Sequence, residues 1–195
     1  MIPIPAVIDV RDTLYARRSV RAYTGQKLDR ATVRDLLDAA VQAPTAIHEE
    51  PWQFVVVQDE ARLKRLSDRA KELFATDVRR LHLDHGPRGL DAFSQPGFNI
   101  FYDAGTLVVI CAKPLGPFVV ADCWLAAENL MLAARGLDLG TCVIGSAVAA
   151  LNEADAKRDL GIPADSTAIA PLIVGTPRGE WPASRRRAPE ILGWR

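Results

Sequence analysis

The run from Pro117 to Ala134 constrains this chain more than any other feature. It is apolar around most of a helical circumference and is interrupted by Asp122, Glu128 and Asn129. A membrane span needs about 20 predominantly apolar residues, and this run is too short and too polar for one. A helix apolar nearly all round has to be covered. Val119 to Arg135, with Gly136 as its C′ residue, is therefore expected at the centre of a fold or of a dimer.

The remaining segments supply what such a helix packs against. Val7, Val10 and Leu14 mark a first helix, and Asp29 is placed to cap a second, whose stripe of Val33, Leu36, Leu37, Ala40 and Val41 ends before Pro44. Phe54 to Val57 suits a buried strand, followed by a helix capped by Asp59 and carrying Leu63, Leu66, Ala70 and Leu73. Thr106 to Ala112, Thr141 to Ile144 and Ala168 to Val174 read as further strands, and Asn152 is expected to cap a short helix that stops at Gly161. Strands separated by helices indicate an α+β or α/β sheet domain, with no strand order fixed by pattern alone. Between Thr76 and Asp103 the periodicity fails among charges, His82, His85 and Gly-Pro or Pro-Gly pairs, as in a functional lid.

With 195 residues the chain has the length of one domain. Its 24 basic and 24 acidic residues cancel, which argues against a nucleic-acid or membrane-surface partner. Cys111, Cys123 and Cys142 are an odd set without metal or disulfide spacing, and no signal-peptide pattern precedes them, so a cytoplasmic protein without a metal site is expected.

Within this neutral total, arginine is concentrated. Arg17, Arg18 and Arg21 crowd one segment and Arg185, Arg186 and Arg187 another. Guanidinium groups match phosphate oxygens, so convergence of the two clusters would make an anion site, whereas separate clusters would be solvated surface. The chain has no GxGxxG after a strand, no GxxxxGK[ST], no GxSxG and no HExxH. An enzyme so furnished would take its reactivity from a cofactor.

Arg17-Arg18-Ser19-Val20-Arg21 with Tyr23, Ala43-Pro44-Thr45-Ala46 followed by Pro51-Trp52-Gln53-Phe54, Glu128-Asn129-Leu130 with Leu137-Asp138-Leu139-Gly140-Thr141-Cys142, and Pro171 to Pro177 before an arginine-rich tail resemble the nitroreductase family of flavin enzymes in that order. The resemblance implies an α+β fold with a central mixed, mainly antiparallel sheet flanked by helices. It implies one domain over residues 1–195, with 76–103 as a variable cap, in a domain-swapped homodimer. FMN would lie at the subunit interface, reduced by NADH or NADPH and reoxidised by a small nitroaromatic, quinone or related acceptor in a ping-pong cycle.

Carried over by position, Arg17, Arg18 and Ser19 resemble phosphate and ribityl contacts, and Arg21 the cation beside the flavin pyrimidine edge. Pro44, Thr45 and Ala46 resemble a loop that runs along the flavin from the other subunit, Ile144 and Gly145 the turn whose amide faces N5, and Arg185 and Arg187 the tail that closes on the phosphate. Phe93, Phe98, Phe101 and Tyr102 are candidates for the substrate wall, with core packing the alternative for Phe101 and Tyr102. The chain departs from the family's proline loop by placing His48 and Glu50 where Asn and Gln are usual. Ionised Glu50 cannot donate, but could accept from flavin N3–H or a ribityl hydroxyl. His48 could supply a proton or serve only to orient or to face solvent.

Trp52 and Cys142 are expected in the core, and Glu128 is expected to be a partnered charge at the dimer interface. The competing functions are a specialised family reaction, such as flavin fragmentation, dehalogenation or enoyl-type reduction, and a non-catalytic FMN or anion binder.

Overall fold

The computed structural model describes residues 9–81, 95, 97–114, 116–181, 183 and 185–195, without the side chains of 77–81. Helix α1 is Val10–Ala16, opened by Asp9, whose side chain accepts from the Arg11 N–H at 2.7 Å. Val7, expected on this helix, lies outside the described residues. Helix α2, Arg30–Ala40, begins where expected, because Asp29 accepts from both the backbone N–H and the hydroxyl of Thr32. Strand β1 is Trp52–Val57, and helix α3, Glu60–Leu81, is capped by Asp59. This helix continues past Thr76, where the sequence pattern fails. The first Gly-Pro pair comes only at Gly86-Pro87, and extending a helix already formed is cheap.

Strand β2, Thr106–Ala112, leads to the long helix α4, Val119–Gly136, and strand β3, Gly140–Val143. Helices α5, Val148–Leu151, and α6, Ala154–Leu160, precede strand β4, Thr167–Gly175. Two sequence expectations fail here. Gly136 is the last residue of α4, and the left-handed residue of the following turn is Asp138 at φ 56°. Asn152 opens no helix, since Glu153 is the N-cap of α6; it closes α5 instead, its side-chain amide donating to the carbonyls of Val148 and Ala168 and its oxygen accepting from Ala168 N–H, which fastens α5 to β4.

The strands form an antiparallel sheet in the order β1-β2-β4-β3. The parallel component is an isolated bridge between Ser19 and Thr141. Alternation along β2 divides the core between the two faces. Leu107 and Val109 pack with Leu63, Leu66 and Phe101, while Val108 and Ile110 meet Leu36, Cys123, Ala127 and Leu130. The chain is thus an α+β sheet covered by α3 on one face and by α2 and α4 on the other.

Only one side of α4 is buried within the chain. Cys123, Ala126, Ala127 and Leu130 are fully enclosed, but Val120 is 55% and Leu125 45% exposed. Among the described residues no helix is long and apolar enough to cross a membrane.

Candidate functional site

The segment from Arg17 to Thr24 is stitched across the end of the sheet. Ser19 bridges Thr141 on β3, and Tyr23 bridges Pro177 just beyond β4. Val20 N–H donates to the Thr141 carbonyl at 2.9 Å, and the Tyr23 hydroxyl donates to the Val20 carbonyl at 3.0 Å. Val20 and Tyr23 are buried in the core, and Val20 sits directly against Gly140, where a Cβ would lie 2.8 Å from the Val20 Cβ. With these anchors inside, Arg17, Ser19 and Arg21 share one alternating set of positions.

All three act electrostatically on the Cys142 thiol. Burial pushes its thiol up, and the charge of Arg21, a hydrogen bond from Ser19 and the charge of Arg17 act in the opposite sense. Arg17 also pairs through Nε with Glu128 Oε1 at 3.5 Å. Glu128 is therefore a partnered charge, its partner lying in the same chain. Arg18 turns away: its guanidinium donates to the carbonyls of Tyr15 and Arg17 and closes the C-terminus of α1. It satisfies orphan helix carbonyls and is not turned toward Cys142.

A cavity of about 90 Å³ opens beside this cluster, lined by Arg21, Tyr102, Cys142, Ile144, Gly145 and Ser146. Ile144 N–H donates to the Pro171 carbonyl at 2.9 Å, turning the chain out of β3. Gly145 then opens the 3-10 turn Gly145–Ala147, whose first amides have no preceding turn to donate into. A Cβ on Gly145 would meet no atom within 4 Å, so its main chain faces open space.

The expected aromatic wall divides. Phe93 lies outside the described residues. Phe101 is fully buried in the core and cannot line a pocket; its neighbour Tyr102, left-handed at φ 51°, reaches the small cavity. The turn is closed by Tyr102 N–H to the Asn99 carbonyl and Ala104 N–H to the Phe101 carbonyl. Phe98 meets Tyr102 edge-on at 5.6 Å but lines a different cavity of about 480 Å³, with Lys64, Ser67, Asp68 and Lys71. That cavity is larger, yet none of the expected cofactor residues lines it.

The proline loop is strained. Pro44 is exposed, Thr45 and Ala46 are half-buried, and Ile47, His48 and Glu50 all have positive φ, of 48°, 58° and 44°. A β-branched residue such as Ile47 rarely adopts this region, and strain of this kind gathers at functional sites. Ala46 N–H donates to Asp122 Oδ1 at 3.2 Å. Sequence reading noted Asp122 only as an interruption of an apolar run; no local signal tells that it reaches a loop 76 positions away.

Arg185 and Arg187 are exposed and make no ion pair or hydrogen bond among the described residues. The last firm hold on the tail is Trp181, whose ring lies 4.3 Å from the Arg135 guanidinium.

Burial pushes the Cys111 thiol up to about 11 and that of Cys123 up to about 12. In the unfolded chain both ionise near 8.5. Their contribution to stability is complete below that value and is lost as pH rises toward 11 to 12. The urea midpoint is expected to fall across this range, and to fall less in a Cys111→Ala/Cys123→Ala protein. A wild-type midpoint that stays level to pH 11 contradicts this.

An antiparallel sheet packed by helices, in the strand order described, is a fold shared with known proteins. The chain belongs to the nitroreductase family, which it matches over residues 14–176. It is 30% identical over 172 residues to a putative NADH dehydrogenase/NAD(P)H nitroreductase of Archaeoglobus fulgidus, covering 86% of this chain and 84% of that one. It is 29% identical to a 5,6-dimethylbenzimidazole synthase of Rhodospirillum rubrum, covering 97% and 91%. Its fold superposes on the FMN-bound nitroreductase of Bacteroides fragilis with a TM-score of 0.79 and 25% identity, covering 94% and 97%.

Proposed function

We propose that this family member is an FMN-dependent oxidoreductase that takes electrons from NADH or NADPH and passes them to a nitroaromatic, quinone or related acceptor. The observation that carries this reading is the meeting of Arg21, Tyr102, Ile144 and Gly145 around one cavity, beside Arg17 and Ser19. The residues fit the cofactor. Two guanidinium groups and a hydroxyl suit a phosphate and a ribityl chain, and the uncovered main chain at Gly145 leaves room for a flat ring.

When bound, FMN supplies hydride acceptance and release. Arg17 and Ser19 would hold its phosphate and ribityl end. Arg21 would set a positive charge beside it, of the kind that favours an anionic ring. The Gly145 turn would offer backbone amide to it, and Tyr102 would close one side of the cavity against solvent. His48 and Glu50, on the strained loop, would differ from the usual Asn and Gln in that imidazole can exchange a proton and an ionised carboxylate only accepts.

The protein acts as a homodimer in this proposal. The half-covered α4, together with Leu14 and Tyr15 of α1 at 52% and 71% exposure, supplies an apolar face for a second copy. The tail arginines would then close on the partner's phosphate, and 76–103 would form part of the cap. The three free, buried cysteines suit the cytoplasm.

Purified protein, loaded with FMN where needed, should be yellow, melt higher with added FMN, and bleach anaerobically with NADH or NADPH. Absence of both flavin absorbance and the thermal shift defeats the proposal. FMN binding without reduction by either nicotinamide leaves a binding module. The likeness to a 5,6-dimethylbenzimidazole synthase over nearly the whole chain favours a specialised flavin reaction as the second reading. Loss of the flavin spectrum that reoxidation does not restore would identify it.

A further inference from the structure

We propose that Asp122 is the positioning residue of the 44–50 loop, holding it in the strained form that faces the cofactor. The side chain is 3% exposed and lies in the first turn of α4, next to the fully buried Cys123. Oδ1 accepts from Ala46 N–H at 3.2 Å, while Oδ2 is buried without a partner. A buried carboxylate holding one bond and an orphaned oxygen is a poor choice for stability, because an apolar side chain in such surroundings costs less.

The loop explains its presence. Beyond Ala46 the backbone passes through left-handed Ile47, His48 and Glu50, conformations that persist only where the surroundings enforce them. Among the described residues, the Asp122 bond is the one side-chain hydrogen bond that ties this loop's backbone to the rest of the chain. Asp122 thus trades core stability for loop geometry, as residues that serve a site do. The inference rests on reading this loop as part of the FMN site, and the experiment separates the two.

Full-length wild type, Asp122→Ala and Asp122→Asn are compared by amide exchange over 44–50 without FMN, by melting temperature, and by FMN titration. In Asp122→Ala, exchange of the Ala46 amide should rise about tenfold and FMN affinity fall about tenfold, the scale of one lost hydrogen bond. Its melting temperature should stay within about 2 °C of wild type or rise. Asp122→Asn keeps an acceptor oxygen and should retain wild-type exchange and affinity within about twofold.

Unchanged exchange in Asp122→Ala overturns the proposal. So does an Asp122→Ala protein that fails to fold or melts well below wild type, since Asp122 would then serve the core, and so does an Asp122→Asn loop as loose as that of Asp122→Ala. A wild type that binds no FMN defeats the functional reading but leaves the exchange comparison standing.

Discussion

Replacing Arg17 with alanine is expected to weaken FMN binding roughly 10- to 150-fold, the loss of one charge-assisted contact worth about 1.5–3 kcal/mol. In the free chain Arg17 is held by Glu128, whose side chain is 44% exposed, so this pair is worth at most about 1 kcal/mol. A phosphate offers more acceptors and more charge, and should displace or share that partner. Arg187→Ala should weaken binding to a similar extent. Among the described residues Arg187 makes no ion pair or hydrogen bond, and in the proposed homodimer it is free to reach a phosphate. Flavin fluorescence titration measures both, and wild-type affinity in the two variants together would remove the assigned phosphate site.

Gly140→Ala is expected to cost about 1–3 kcal/mol of stability, because the new methyl would stand 2.8 Å from both Val20 Cβ and Val20 Cγ2. The strand cannot yield easily, since Gly140 pairs with Gly175 of β4. Val20 must move, and with it the bridge from Ser19 to Thr141 that sets the line of Arg17, Ser19 and Arg21. Melting temperature should therefore fall by roughly 2–4 °C for each kcal/mol, with a parallel loss of FMN affinity. Val20→Ala in the same background removes the two close methyl groups and should restore part of both. A Gly140→Ala protein with wild-type melting and affinity would mean that the segment is not fixed by this contact.

Periodicity and capping made much of the fold visible in advance. The stripe of Val33, Leu36 and Ala40 behind Asp29 becomes α2, and the seven-residue apolar run at Thr106 becomes a strand buried throughout. These features depend on neighbours in sequence. What was hidden depends on distant partners. Asn152 has the chemistry of an N-cap, yet it ends α5 rather than opening α6, and its amide is shared with Ala168, across the chain on β4.

The residues assigned to the candidate site are a mixed case. Ser19 and Arg21 lie outside the core on either side of buried Val20. Phe101 and Tyr102 are chemically similar neighbours, but one is core and the other reaches the cavity, because a left-handed turn separates them. Arg18 looks like its neighbours in a string of letters, and only the end of α1 explains why its guanidinium points elsewhere.

The stacking of Arg135 on Trp181 divides the chain into two kinds of residue. Up to that ring, most segments are fixed by their own sheet and helices. Beyond it, the described residues are exposed and the arginine triplet has no ion pair among them. Ordering each residue costs roughly 1–2 kcal/mol of backbone entropy, little of which an exposed segment recovers from its own chain. If the proposed homodimer and its FMN site form, protection of this segment from trypsin would act as a gauge of assembly.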